Sequence, residues 1–181
     1  VKDPDILYNI AASYQQSDNT DQAIQALERY LKASPQDMRS WMQLGALQEK
    51  KGDLQDARET YETVLAKNSK NEDAIVRLVA LLEKTKDKQG LESAYEKLTQ
   101  VQPKNKVAHF NLAMLYYDAQ KWEKAASEFK DVIDLDSKDV ESRKHLLDIY
   151  RKTKNSAAEV ETLQGLVQLD NDDLDYYKAL F

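Results

Sequence analysis

The chain has no cysteine, so neither a disulfide framework nor a thiolate site is available, and composition leaves the redox compartment open. Glycine and proline are also scarce, at four and three in 181 residues. Strand-and-turn architectures need turn residues about every ten positions, which disfavours an all-β fold. No apolar run approaches the roughly 18 residues that a membrane-spanning helix requires. Positive charge is in deficit: the formal net charge is −6 and the pI about 5.1. Binding along a nucleic-acid backbone needs a positive face, so nucleic acid is not the expected partner. The opening stretch "VKDPDILYN" has neither an initiator Met nor the charged-then-apolar form of a secretory signal. The expectation is a piece of a longer or processed protein. A cytoplasmic setting is favoured slightly over a periplasmic or exported one.

What is present is a helical vocabulary. Hydrophobic residues make up 41% and charged residues 32%, with Ala, Leu, Lys, Glu, Asp and Gln prominent. The pattern repeats every thirty-four residues without insertion. From Leu44 that step reaches Ile10, Leu78, Leu112, Leu146 and Leu180; from Tyr61 it reaches Leu27, Tyr95, Phe129 and Leu163. A polar series keeps the same register: Asp3, Asp37, Asn71, Asn105, Asp139 and Asp173. Each precedes an apolar-periodic segment, and Asp and Asn cap the free amides at helix starts. Pro4 after Asp3 suits the first helical position. Helices are therefore expected to begin near those six positions and near residues 20, 54, 88, 122 and 156.

These residues carry a resemblance to the tetratricopeptide repeat. The second unit holds Trp41, Leu44, Gly45, Ala57 and Tyr61; the first holds Leu7, Ile10, Ala11, Tyr14, Ala23, Leu27 and Pro35; the fourth holds Leu112, Ala113, Tyr116, Ala125 and Phe129. The resemblance implies an all-α, right-handed superhelical solenoid of helix-turn-helix hairpins across residues 1–181. Its repeats would be 4–37, 38–71, 72–105, 106–139 and 140–173, with a partial sixth or capping helix at 174–181. Small residues facing each other within a hairpin let its helices approach: Ala11 with Ala23, Gly45 with Ala57, and Ala113 with Ala125. The third and fifth units break the rule with Val79 opposite Leu91 and Leu147 opposite Glu159. A wider or re-angled hairpin is expected there, or a one-residue slip that uses Ala158.

Catalytic chemistry finds little support. His109 and His145 lie on successive first helices with no third ligand at metal spacing, and read as solvated or groove-lining. Gly90 and Gly165 are isolated, so no phosphate loop is present. Asp170, Asp172 and Asp173 read as a capping turn. Lys50, Lys51, Lys84, Lys86, Lys88, Lys152 and Lys154 gather at the turns inside the units, where cations favour the helix dipole. No enzyme, cofactor or metal is expected.

The resemblance also implies a concave groove lined by the first helix of each unit. Its fifth positions are Tyr8, Met42, Val76, Phe110, Lys144 and Lys178, and its ninth are Ala12, Ala46, Ala80, Met114 and Asp148. Tyr117 and Arg151 lie near the twelfth. These side chains either expose an apolar strip to a partner or pack between adjacent first helices. In relatives that hold a carboxylate-terminated chaperone tail, the groove carries a set of Lys, Asn and Arg. Arg77 and Asn111 occupy suitable places, but the first lysine and first asparagine positions do not match, which disfavours that subclass. The expected function is a non-catalytic protein-interaction module holding a peptide segment of a partner, with no nucleic acid and no membrane insertion. Two alternatives stand beside it: self-assembly through apolar solenoid ends, and a targeting arm of a larger enzyme or of a secretion or assembly protein.

Overall fold

The computed structural model describes residues 3–169 and Lys178. Among the described residues ten α-helices follow one another: α1 (Pro4–Gln16), α2 (Thr20–Ala33), α3 (Met38–Lys51), α4 (Leu54–Lys67), α5 (Glu72–Thr85), α6 (Lys88–Val101), α7 (Lys106–Asp118), α8 (Trp122–Leu135), α9 (Val140–Lys152) and α10 (Ser156–Leu169). No strand occurs among the described residues. The chain forms two compact units, Val1–Asp87 with α1–α5 and Lys88–Phe181 with α6–α10.

Helix starts follow from capping chemistry. Asp3 accepts from the Asp5 amide, Asp37 from Arg39 and Ser40, Asn71 from Ala74, Asn105 from Ala108 and Asp139 from Ser142. Each bond satisfies an amide that the helix itself cannot. Asp173, Leu180 and, apart from Lys178, the helix expected at 174–181 lie outside the described residues, as do Asp170 and Asp172.

The turn that closes each first helix has a constant geometry and a changing sequence. Asp18, Gly52, Lys86, Gln120 and Lys154, thirty-four residues apart, all adopt positive φ between 55° and 96°. That left-handed residue lets the next amide turn back, so that Asn19, Asp53, Asp87, Lys121 and Asn155 donate to Tyr14, Gln48, Leu82, Tyr116 and Tyr150 carbonyls. Only the second turn uses glycine, the residue with no steric cost there.

In the first unit the core gathers Ala11, Ile24, Ala26, Leu27, Leu31 and Leu44, with Tyr14, Tyr30 and Trp41 against it. Ala11 and Ala23 are both buried, as the expected close approach requires. At Gly45 the expected partner is corrected. A Cβ there would lie 2.5 Å from Tyr61 Cε1, so the tyrosine ring, rather than Ala57, makes the tightest demand for glycine. In the second unit Ala113 and Ala125 are fully buried. Leu147 packs with Leu163, Leu166 and Val140. Glu159 avoids that apolar cluster by pairing with Arg151 Nε at 2.8 Å. Val79 and Leu91 are each buried, in separate units.

Candidate functional site

In the first unit, Tyr8 on α1 is half-buried, its ring 5.5 Å from that of Tyr30 on α2. Asp5, Tyr8, Asn9, Tyr30, Asp37 and Arg39 line one open depression. Its best-defined polar group is the Asp37 carboxylate, which accepts from Tyr30 Oη at 2.9 Å and Ser40 Oγ at 2.8 Å. Burial pushes this carboxyl up, but the Ser40, Tyr30 and backbone hydrogen bonds outweigh it and hold it below the ordinary carboxylate range. Met42 on α3 is half-buried, while Val76 and Arg77 on α5 are exposed. Val76 is 45% exposed, unusual for a branched aliphatic side chain on an otherwise well-packed helix.

In the second unit, Phe110, Asn111, Met114 and Tyr117 all lie half-buried on α7. Phe110 meets Phe129 and His145 edge-on, with centroids at 5.8 and 6.3 Å. Tyr117 meets Trp122 and His145 edge-on at 5.4 and 5.2 Å. The His145 ring stacks flat on Phe129 at 5.0 Å. The α7 stripe therefore leans on α8 and α9 and keeps only part of each ring for solvent.

A polar cluster borders these rings. Tyr117 Oη donates to Asp148 Oδ2, and Lys152 Nζ bonds both Asp148 and, at 3.1 Å, Tyr117 Oη. Burial raises the Asp148 carboxyl, yet Lys152 and Tyr117 together bring it below its ordinary value. The Lys152 ammonium also sits over the Tyr117 and Trp122 rings at 5.3 and 5.6 Å. Asn111 Nδ2 donates to Tyr95 Oη at 2.8 Å. Lys144 and Arg151 are exposed on α9, and Arg151 is held by Glu159. Lys178 is exposed as well.

The structure thus brings Phe110, Tyr117 and Asp148 into one cluster and leaves Lys144 and Arg151 on the open surface beside it. Sequence reasoning missed three members: Trp122, His145 as a stacking partner, and Lys152. One signal was available for Lys152, since Asp148 and Lys152 are four apart and share a helix face. His109 requires a correction. It is buried, at 7% exposure, and bonded at both ring nitrogens rather than solvated or groove-lining. Among the lysines of the turns, Lys50, Lys51, Lys88 and Lys152 pair with acids within their own unit.

The helix order, the five recurring turns and the small-residue hairpins define an all-α protein of the helical-hairpin repeat class. The tetratricopeptide repeat family model matches residues 8–83, 92–140 and 110–173, so the chain belongs to the tetratricopeptide repeat family. No curated protein sequence matches it. Its fold is similar to three solved structures. MamA from Desulfovibrio magneticus RS-1 is 19% identical, with 94% of this chain and 96% of that one covered and a TM-score of 0.55. A tetratricopeptide repeat protein from Parabacteroides merdae ATCC 43184 is 18% identical, with 98% and 70% covered and a TM-score of 0.58. YrrB, described as having an unusual peptide-binding site, is 16% identical, with 98% and 92% covered and a TM-score of 0.59. Repeats of this family generally serve as scaffolds for protein interaction.

Proposed function

We propose that this chain is a non-catalytic interaction module that holds a peptide segment of a partner protein along its first helices. In the second unit the segment would lie on the strip formed by Phe110, Asn111, Met114 and Tyr117, with Lys144, Asp148 and Arg151 contributing polar anchors. In the first unit Tyr8, Met42, Val76 and Arg77 offer the corresponding surface. The observation that carries this reading is the half-exposed aromatic and Met stripe on α7, bordered by charge. Such side chains combine a large apolar area with adaptable shape, the composition of binding hot spots. YrrB, with its peptide-binding site, supports the reading by similarity of fold.

Selection of a random-peptide display library on the full chain tests it. Enriched peptides should compete with one another and lose affinity when Met114 is replaced. A second reading, self-association through the ends, draws on exposed Ile6 on α1 and exposed Val160 and Leu169 on α10. Light scattering over a range of concentrations separates the two, because a peptide-binding monomer keeps a constant mass.

A further inference from the structure

His109 on α7 and Glu128 and Asp131 on α8 bring one ring nitrogen and two carboxylates together at the rim of the second unit's core. His109 Nε2 lies 3.2 Å from the Pro103 carbonyl oxygen, which can only accept, so this contact is a hydrogen bond in the tautomer that carries its hydrogen on Nε2. In a neutral ring the other nitrogen, Nδ1, is then a bare lone pair. It faces Glu128 Oε2 at 2.7 Å and Asp131 Oδ2 at 3.8 Å. In that tautomer three acceptors converge, and the imidazole is buried while the Asp131 side chain remains 50% exposed. A hydrogen on Nδ1 serves Glu128 at 2.7 Å, whereas Asp131 Oδ2 stands farther off at 3.8 Å. A divalent cation matches a neutral imidazole and two carboxylates in charge.

We propose that His109 Nδ1, Glu128 and Asp131 bind a divalent transition-metal ion of the Zn²⁺ type. The ligand atoms lie within 4.8 Å of one another. Around a tetrahedral ion with bonds near 2.1 Å they would be about 3.4 Å apart, within reach of small side-chain movements. The Pro103 carbonyl already makes the contact that orients a ligating histidine and fixes its tautomer. A nitrogen and two carboxylate oxygens suit Zn²⁺ or Co²⁺ better than Ca²⁺, which takes oxygen alone. The exposed Asp131 side gives the ion an entry path and leaves a coordination position for water.

The repeat supplies an internal comparison. One register earlier the three positions are Ile75, Ala94 and Lys97; two earlier they are Trp41, Thr60 and Thr63; one later they are Arg143, Thr162 and Gly165. Trp41 Nε1 makes the same bond as His109 Nε2, to the Pro35 carbonyl at 2.9 Å. The histidine therefore keeps the structural bond of the repeat and adds a second nitrogen, aimed at two acids that the other units lack.

The test is calorimetric titration of the full chain with Zn²⁺ near neutral pH, with circular dichroism to confirm that each variant is folded. Wild type should bind one equivalent saturably. His109→Trp is designed to keep the bond to Pro103 while removing the ligand; Glu128→Gln and Asp131→Asn keep side-chain size and remove the carboxylate charge. Each should weaken binding at least about tenfold, whereas Asp134→Asn on the same helix should not. Absence of saturable binding, or equal binding by all three variants, overturns the proposal and leaves His109 Nδ1 hydrogen-bonded to Glu128 alone.

Discussion

Gly45 on α3 lies directly beneath the ring of Tyr61 on α4: a Cβ at this glycine would stand 2.5 Å from Cε1 and 2.8 Å from Cζ. The ring cannot easily yield. Tyr61 is fully buried, and its hydroxyl donates to Glu49 one turn along α3. Anchoring at that end draws the ring across the glycine. In the first hairpin the same two positions are Ala11 and Leu27, both buried, so a methyl is accommodated when the facing side chain is aliphatic. Gly45→Ala should therefore destabilise by about 1–3 kcal/mol despite the better helix propensity of alanine. Adding Tyr61→Leu should recover part of that loss through a coupling of at least about 0.5 kcal/mol in urea unfolding. Additive losses would show that the ring does not set the glycine.

Ser40 and Ser142 occupy the same register and are both fully buried, but they differ in one bond. Ser40 Oγ donates to Asp37 at 2.8 Å, whereas Ser142 Oγ has no partner. The equivalent positions in α5 and α7 are Ala74 and Ala108, equally buried. Ser142→Ala should be neutral or stabilising by up to about 1 kcal/mol, and Ser40→Ala should cost about 1 kcal/mol. Thermal unfolding of the two variants side by side decides this.

Gln120 holds φ at 57° where the second turn has glycine. Left-handed conformations cost residues with a Cβ roughly 1 kcal/mol. Gln120→Gly should raise stability by about 0.5–1 kcal/mol, with the urea midpoint rising and its slope unchanged. Gly52→Ala should do the reverse through backbone strain alone, since open space surrounds that position.

Asp37 gives stability a defined pH dependence. Its carboxyl is held below the ordinary value of 3.8 in the folded state, so it stabilises the fold above that value. That contribution is lost as the pH falls through the lowered folded-state value. Asp37→Asn retains an N-capping oxygen but cannot titrate. The stability gap between wild type and this variant should be widest near neutral pH and shrink in acid. A gap that persists unchanged below the carboxylate range would contradict the ionic role of Asp37.

The helix starts were legible because one side-chain type, a short carboxylate or amide, recurs wherever a helix must be capped. Asp3, Asp37, Asn71, Asn105 and Asp139 all perform that task. The left-handed turns were not legible, because backbone geometry recurs there while the residue changes from Asp to Gly, Lys, Gln and Lys. Tolerance in a short turn hides the rule. The partner of Gly45 was misassigned because a ring reaches farther along the helix than the facing small residue. His109 was misread for a different reason: its position had been filled by Trp41, whose ring N–H bonds a turn carbonyl, and histidine can make that same bond. The α7 stripe was visible as a pattern, but its leaning on His145 and Phe129 depends on contacts between helices that spacing does not encode.

The central claim is that the α7–α9 strip receives a peptide, and its most direct test is the affinity of a library-selected peptide for wild type and two variants by fluorescence anisotropy. Met114→Glu places charge on the half-exposed part of the stripe, and Lys144→Glu reverses an exposed anchor, while neither removes a ring from the Phe110–Phe129–His145 stack. Met114→Glu should weaken binding by about 2 kcal/mol or more, the scale of a hot spot, with the unfolding midpoint nearly unchanged. Lys144→Glu should alter the salt dependence of binding. Selected peptides that bind both folded variants as tightly as wild type would contradict the account and move the binding surface away from these first helices.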